Sequence, residues 1–186
     1  MFEQLTQLAQ QFGVDSVINN PSVPNDKNEA VIGEASNSVI SGLQKIVSEG
    51  GMDQLVGLFQ GNNAADSSNP VVQKLTQELS GNLGQKFGIS ANDASGVASK
   101  LIPQILGSLV GKAKDPNDSS FEISDIIGAI SGGGDNAGIM DAITKYGGQF
   151  GLDQNGDGKV DMSDAMEAVT KKGGGIGGML GGLFGK

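Results

Sequence analysis

Apolar residues recur three and four positions apart through most of the chain, and this is the period of an amphipathic α-helix. No segment shows the sustained alternation of apolar and polar residues that is typical of a half-buried strand. The sequence therefore predicts an all-α protein with a compact multi-helix domain. The predicted helices are Met1–Phe12, Glu29–Ser48, Met52–Phe59, Pro70–Lys86, Ala91–Lys112 and Phe121–Ile130. Gly50-Gly51 separate the second of these from the third, and the helix from Pro70 has one apolar face made of Val71, Val72, Leu75, Leu79 and Leu83.

Glycine, proline and asparagine mark the expected helix boundaries. Gly13 is predicted to stop the first helix, and the Ile18–Asn28 segment, with its prolines and asparagines, is predicted to be a loop. Ser90, with an acidic residue three positions later, indicates a capping-box variant. Pro103 lies inside an apolar helical pattern, so we expect it to kink or divide that helix.

A short pattern of phenylalanine, glycine, an apolar residue and Asp or Ser occurs three times, at Phe12–Asp15, Phe87–Ser90 and Phe150–Asp153. Each copy predicts a helix stop and restart, with glycine in the left-handed position after the helix and Asp or Ser capping the next one. A duplicated unit and independent use of the same capping residues both explain the pattern. The residues around the copies differ, which favours the second explanation.

In the segment Asp153–Asp164, the spacing of the residues predicts a specific chemistry, the binding of a metal ion by oxygen atoms. Oxygen-bearing side chains fall at loop positions 1, 3, 5, 9 and 12, and the apolar Val160 is at position 8. Gly158, at position 6, is predicted to make the sharp turn with a positive φ. This is the EF-hand calcium-loop pattern. The predicted ligands are the side chains of Asp153, Asn155 and Asp157, the backbone carbonyl of Lys159, Asp161 either directly or through a water molecule, and the side chain of Asp164.

The loop ends with Asp164 where most EF-hands have glutamate, and in this respect it resembles the dockerin-type variant. The shorter side chain makes bidentate coordination harder. With predicted helices Asn136–Tyr146 and Ser163–Lys171 on either side, the segment reads as a single EF-hand-like helix-loop-helix. The alternative is a surface turn without metal, but turn chemistry does not require four carboxylates at fixed positions.

Composition removes several classes of function. The formal net charge is −9 and all 12 basic residues are lysine, so the chain lacks the basic footprint of a nucleic-acid-binding protein. There is no histidine and no cysteine, which excludes thiol nucleophiles, histidine bases, His/Cys zinc sites and disulfides. We therefore expect a protein that is not an enzyme.

The chain is predicted to have three parts: a helical domain (1–132), the calcium-binding helix-loop-helix (133–172) and a glycine-rich apolar tail (173–186). The tail either remains flexible, docks onto the domain or a second subunit, or associates with a membrane. It is too short to span one. Met1–Gly13 has no basic n-region, so the expected location is cytoplasmic, the alternative being the cell surface or exterior through non-classical export.

Several of these segments together resemble the YidB-like family of bacterial proteins of unknown function. They are Met1–Gly13, Phe87–Ser90, Leu101–Leu106, the Asp115-Pro116 turn, Ile123–Ile130 and the Gly/Leu/Phe tail. The resemblance covers most of the chain and implies a bacterial, all-helical protein. It supplies no activity and no active site, and the calcium loop is not a feature associated with the core of that family.

Four functions are compatible with the sequence. The leading one is a calcium-binding structural or interaction protein in which the ion rigidifies the C-terminal helices. The second is a protein that assembles into an oligomer or filament through its apolar helices and tail. The third is a membrane-associating protein, and the fourth is a hydrolase using paired carboxylates such as Glu122 and Asp125. An exposed pair three residues apart on a helix more often simply meets solvent.

Overall fold

The computed structural model describes residues 2–61, 63–115, 118, 121, 126, 129, 130, 148, 153, 155–157 and 164. In these ranges the protein is helical and contains no strand, which confirms the all-α prediction for the described part. The α-helices are α1 (Phe2–Gly13), α2 (Asn28–Ser48), α3 (Met52–Gln60), α4 (Pro70–Phe87) and α5 (Ala91–Lys114). A π-helical turn (Val14–Ile18) follows α1, and a 3-10 turn (Asn25–Lys27) precedes α2.

The chain divides into two compact units, Met1–Gly132 and Gly133–Lys186. The described part of the first unit, which we call the helical body, contains all five of the helices named above. The predicted helices Asn136–Tyr146 and Ser163–Lys171 and the tail 173–186 lie outside the described residues, except that Asp164 is helical. Of the predicted helix Phe121–Ile130, the described residues 126, 129 and 130 are helical.

The apolar face predicted for α4 is fully buried. Each of its five residues is at most 1% exposed: Val71, Val72, Leu75, Leu79 and Leu83. The helix begins at Pro70, whose missing N–H costs nothing in the first turn, and the Asn69 side chain accepts a hydrogen bond from the Val71 backbone N–H at 2.9 Å. Burial of this stripe supplies the apolar contacts that hold α4 in the body.

Polar pairs between α2 and α4 show that the two helices run antiparallel. Glu34 pairs with Lys86, Ser38 with Asn82, and Ser41 with Glu78, so residue numbers rise along one helix as they fall along the other. Both carboxylate oxygens of Glu34 lie 2.8 Å from the lysine Nζ. Near the middle of this seam, a Cβ on Gly42 would overlap the side chain of Leu75. Glycine therefore allows the close approach of α2 and α4.

The prediction that Pro103 kinks or divides its helix fails in its stronger form, because α5 runs as one helix from Ala91 to Lys114. The residues on both sides of the proline are fully buried, namely Leu101, Ile102, Ile105 and Leu106. Their burial offsets the hydrogen bond that the proline cannot donate. Tertiary packing thus carries the helix through a residue that would break it in isolation.

The first α-helix ends at Gly13 as predicted, but the predicted left-handed conformation of this glycine is wrong. Gly13 has φ −77° and ψ −12°, a right-handed conformation, and the chain continues into the π-helical turn. The Asn19 backbone N–H closes this turn by donating to the Val14 carbonyl at 2.8 Å. Within the turn Ser16 and Val17 are buried, so the body gains packing by continuing the helical path. The segment predicted to be a loop from Ile18 also contains the 3-10 turn at 25–27.

The second copy of the phenylalanine–glycine pattern behaves as predicted. Gly88 has φ +68° and ψ +21°, the left-handed conformation, and its N–H donates to the Gly84 carbonyl at 3.1 Å. Ile89 then folds back and is 6% exposed. Ser90 caps α5 by accepting a hydrogen bond from the Asp93 N–H at 3.3 Å, and its hydroxyl donates to the Asp93 carboxylate at 2.6 Å.

Candidate metal centre

Four of the six predicted calcium ligands lie among the described residues. They are Asp153, Asn155, Asp157 and Asp164. Lys159 and Asp161, together with the predicted turn glycine Gly158 and the apolar Val160, lie outside the described residues. The third copy of the phenylalanine–glycine pattern is described only at Asp153, so its glycine conformation remains a prediction. The local geometry can therefore be given for loop positions 1, 3, 4, 5 and 12.

Side chains at the start of the loop bind its own backbone. Asp153 Oδ1 accepts a hydrogen bond from the Gly156 N–H at 2.7 Å, and Asn155 Oδ1 accepts one from the Asp157 N–H at 2.8 Å. The second is an Asx turn, in which a short polar side chain takes the place of a backbone carbonyl two residues before the donor. Because the two bonds overlap along the chain, they fold residues 153–157 into a tight curve.

The last loop position closes back onto this curve. Asp164 Oδ1 accepts a hydrogen bond from the Asn155 backbone N–H at 3.1 Å, which links position 12 to position 3. Asp164 is helical and only 1% exposed, whereas residues 155–157 are exposed. A buried carboxylate is costly unless it is hydrogen-bonded or paired with a charge. The loop thus brings its final acidic side chain to its first turn, as a wrapping metal site requires.

The chemistry of the described side chains is that of a hard-cation site. Three are carboxylates and one is an amide, and Asn155 Nδ2 donates to Asp157 Oδ2 at 3.4 Å. Oxygen donors of this kind suit calcium or magnesium. Among the described residues, no three acidic side chains are already arranged to hold a metal ion. The described side chains therefore do not by themselves form a metal site.

Sequence reasoning missed Gly156. It has φ +75°, in the left-handed region that favours glycine, and it occupies loop position 4. The EF-hand pattern predicts the sharp turn at Gly158, which lies outside the described residues. The Asn-Gly dipeptide at 155–156 is a strong turn signal and could have identified this position.

In its described part, the helical body has no group of acidic side chains arranged to hold a metal ion. Its acidic residues Glu34, Glu49 and Asp118 form ion pairs with lysines, and the proposed catalytic carboxylates Glu122 and Asp125 lie outside the described residues. No described helix combines the length and apolar character needed to cross a membrane. The loop remains the candidate functional site.

Comparison with known proteins adds no assignment. No family model, no curated protein and no solved structure matches this chain. The resemblances to the YidB-like family and to dockerin-type loops therefore stay predictions from the sequence. Any function must be argued from the residues and their geometry.

Proposed function

We propose that the protein binds a calcium ion in the loop Asp153–Asp164 and acts as a non-enzymatic structural or interaction protein. In this proposal the ion neutralises the clustered carboxylates and rigidifies the C-terminal segment. The YidB-like resemblance and a cytoplasmic location belong to the same proposal.

The observation that supports it best is the closure of the loop by Asp164. A metal-free surface turn has no need to place the side chain at position 12 against the backbone at position 3. An EF-hand does, because the last residue supplies ligands on the side opposite the first turn. The burial of Asp164 also means that its position is set by surrounding atoms rather than by solvent.

The proposal has a clear energetic consequence. Without a cation, the carboxylates of Asp153, Asp157, Asp161 and Asp164 repel one another. A bound ion stabilises the folded state by mass action, by about 2.7 kcal/mol when its free concentration is a hundred times the dissociation constant. Calcium should therefore raise the unfolding temperature of the protein.

The direct test is calorimetric titration of calcium into chelator-treated protein, with the unfolding temperature followed in parallel. We expect binding with micromolar or tighter affinity and a calcium-dependent rise in the unfolding temperature. Asp153→Ala and Asp157→Ala should each weaken binding strongly, because each removes a ligand. Titration of magnesium would show whether the shorter Asp164 relaxes the choice between the two ions.

The matched control is Asp26→Asn, which removes one negative charge from an exposed position in the helical body. It should bind calcium as the unaltered chain does. If the unaltered protein gives neither heat nor a thermal shift, the loop is a turn and the proposed function is wrong. Equal weakening by Asp26→Asn would indicate diffuse attraction of cations to an acidic protein.

A second candidate function is self-assembly through apolar surface. Three large apolar side chains of the described part are exposed by about half: Phe2 at 45%, Val14 at 45% and Ile18 at 44%. All three lie on the continuous helical run formed by α1 and the π-helical turn. Size-exclusion chromatography of the full chain, of Ile18→Asn and of a chain ending at Lys172 tests this idea. If all three elute as monomers at high concentration, assembly is excluded.

A further inference from the structure

Asn155 and Gly156 form the one Asn-Gly dipeptide in the sequence. Both residues are exposed, and a Cβ built on Gly156 would meet nothing within 4 Å. Residue 156 therefore has no side chain of its own beside its backbone nitrogen, and the space around its Cα is open. An exposed asparagine followed by glycine is the arrangement in which the asparagine side chain is most open to attack by the following backbone nitrogen.

The reaction is deamidation, and it requires only water. The Gly156 nitrogen loses its proton to a solvent base and attacks Cγ of Asn155, so that an N–Cγ bond forms. The Cγ–Nδ2 bond breaks, and Nδ2 leaves as ammonia after taking up a proton. Water then opens the resulting five-membered succinimide at either carbonyl, giving aspartate or isoaspartate. The net change is exchange of one amide nitrogen for one water oxygen.

Both reacting groups are engaged in the folded loop. The Gly156 N–H donates to Asp153 Oδ1 at 2.7 Å, and Asn155 Oδ1 is held by the Asp157 N–H at 2.8 Å. The first of these bonds has an ionised acceptor, which makes it stronger than a neutral hydrogen bond. For the nitrogen to reach Cγ, this bond must break and the turn must open.

We infer that Asn155 is a spontaneous deamidation site whose rate is governed by opening of the hydrogen bond between Asp153 and Gly156. The modification converts a neutral loop position into a fifth carboxylate beside Asp157, and it removes the Nδ2 donor that now faces Asp157 Oδ2 at 3.4 Å. The isoaspartate product also adds a methylene to the backbone next to the link with Asp164. The step needs no metal, so it is independent of the calcium proposal.

The test is incubation of the full-length protein with a chelator in mildly alkaline buffer, followed by peptide mapping. The product is detected by the mass increase for replacement of an amide NH2 by OH, and chromatography separates aspartate from isoaspartate. We expect Asn155 to convert before the other asparagines. Asp153→Ala, which removes the acceptor, should convert about tenfold faster, because loop opening no longer breaks a charge-assisted hydrogen bond.

Two variants serve as controls. Asp153→Asn retains an oxygen acceptor without the charge, so its rate should fall between those of the unaltered protein and Asp153→Ala. Asn155→Gln should abolish conversion at this site, because the longer side chain does not form the five-membered ring. An Asp153→Ala rate equal to that of the unaltered chain would overturn the inference. So would absence of conversion at Asn155 in both proteins when urea-unfolded protein converts.

Discussion

The two described copies of the phenylalanine–glycine pattern have nearly the same sequence and opposite backbone outcomes. Gly13 is right-handed, with φ −77°, and the helical path continues through it. Gly88 is left-handed, with φ +68°, and ends α4. Since local propensity is alike at the two sites, the difference must arise from what surrounds each glycine.

The surroundings differ in burial. Gly13 is buried, and a Cβ there would lie 3.1 Å from Cγ1 of Ile32 on α2. Gly88 is exposed, and a Cβ there would meet nothing within 4 Å. At the first site glycine permits close packing, and at the second it permits a positive φ. One residue type thus meets two different physical requirements.

The largest expected change in the free energy of unfolding comes from substitution of Val17, which is fully buried and follows Gly13 in the chain. If burial of this turn holds the chain in its helical path, Val17→Ala should lower the free energy of unfolding by about 2 kcal/mol, through lost methyl burial and the cavity left behind. Urea unfolding measures it. The exposed Val14→Ala should change stability by less than about 0.5 kcal/mol. Equal effects would contradict the role assigned to packing.

Substitution of the two glycines should have the next largest effect on the free energy of unfolding. Gly88→Ala should cost about 1–2 kcal/mol, because alanine is strained in the left-handed region. Gly13→Ala should shift stability by less than about 1 kcal/mol, since the gain in helix propensity offsets a tight contact with Ile32. Thermal and urea unfolding of both variants provide the comparison. A larger loss at Gly13 than at Gly88 would reverse the interpretation.

The smallest effect should come from the capping residues of the two copies. Ser90→Ala should cost about 1 kcal/mol, whereas Asp15→Ala should be close to neutral because Asp15 lies inside the π-helical turn and caps no helix.

Hydrogen bonds from the Ser90 hydroxyl and, to a smaller extent, from Ser22 lower the pKa of Asp93 below its usual value of 3.8. A carboxyl group whose pKa is lowered by folding stabilises the folded state at pH values above its pKa in the unfolded chain. This stabilisation is lost as the pH falls through its pKa in the folded protein. The deficit of Ser90→Ala should therefore shrink in strong acid, as measured by unfolding across that range.

Much of the helical body was predictable from local pattern. The boundaries of α2 to α4 and the buried stripe of α4 follow from apolar spacing, Pro70 and the Gly50-Gly51 break, because these signals act over a single turn. In the loop, the spacing of the oxygen-bearing side chains predicts a set of ligands, and this set stays a prediction. The spacing did not identify Gly156 as a left-handed position, because the EF-hand pattern predicts the sharp turn at Gly158, which lies outside the described residues.

The sequence alone determined that the described part of the chain is helical, that the chain lacks histidine and cysteine chemistry, and where oxygen-bearing side chains recur at EF-hand spacing, because these follow from composition and short-range spacing. Only the tertiary structure decided whether a glycine or proline ends a helix. The α-helix continues through Pro103, and a π-helical turn continues the path beyond Gly13, where the following residues are buried. The free energy of that burial, which no local signal contains, exceeds the local cost of continuing the helix.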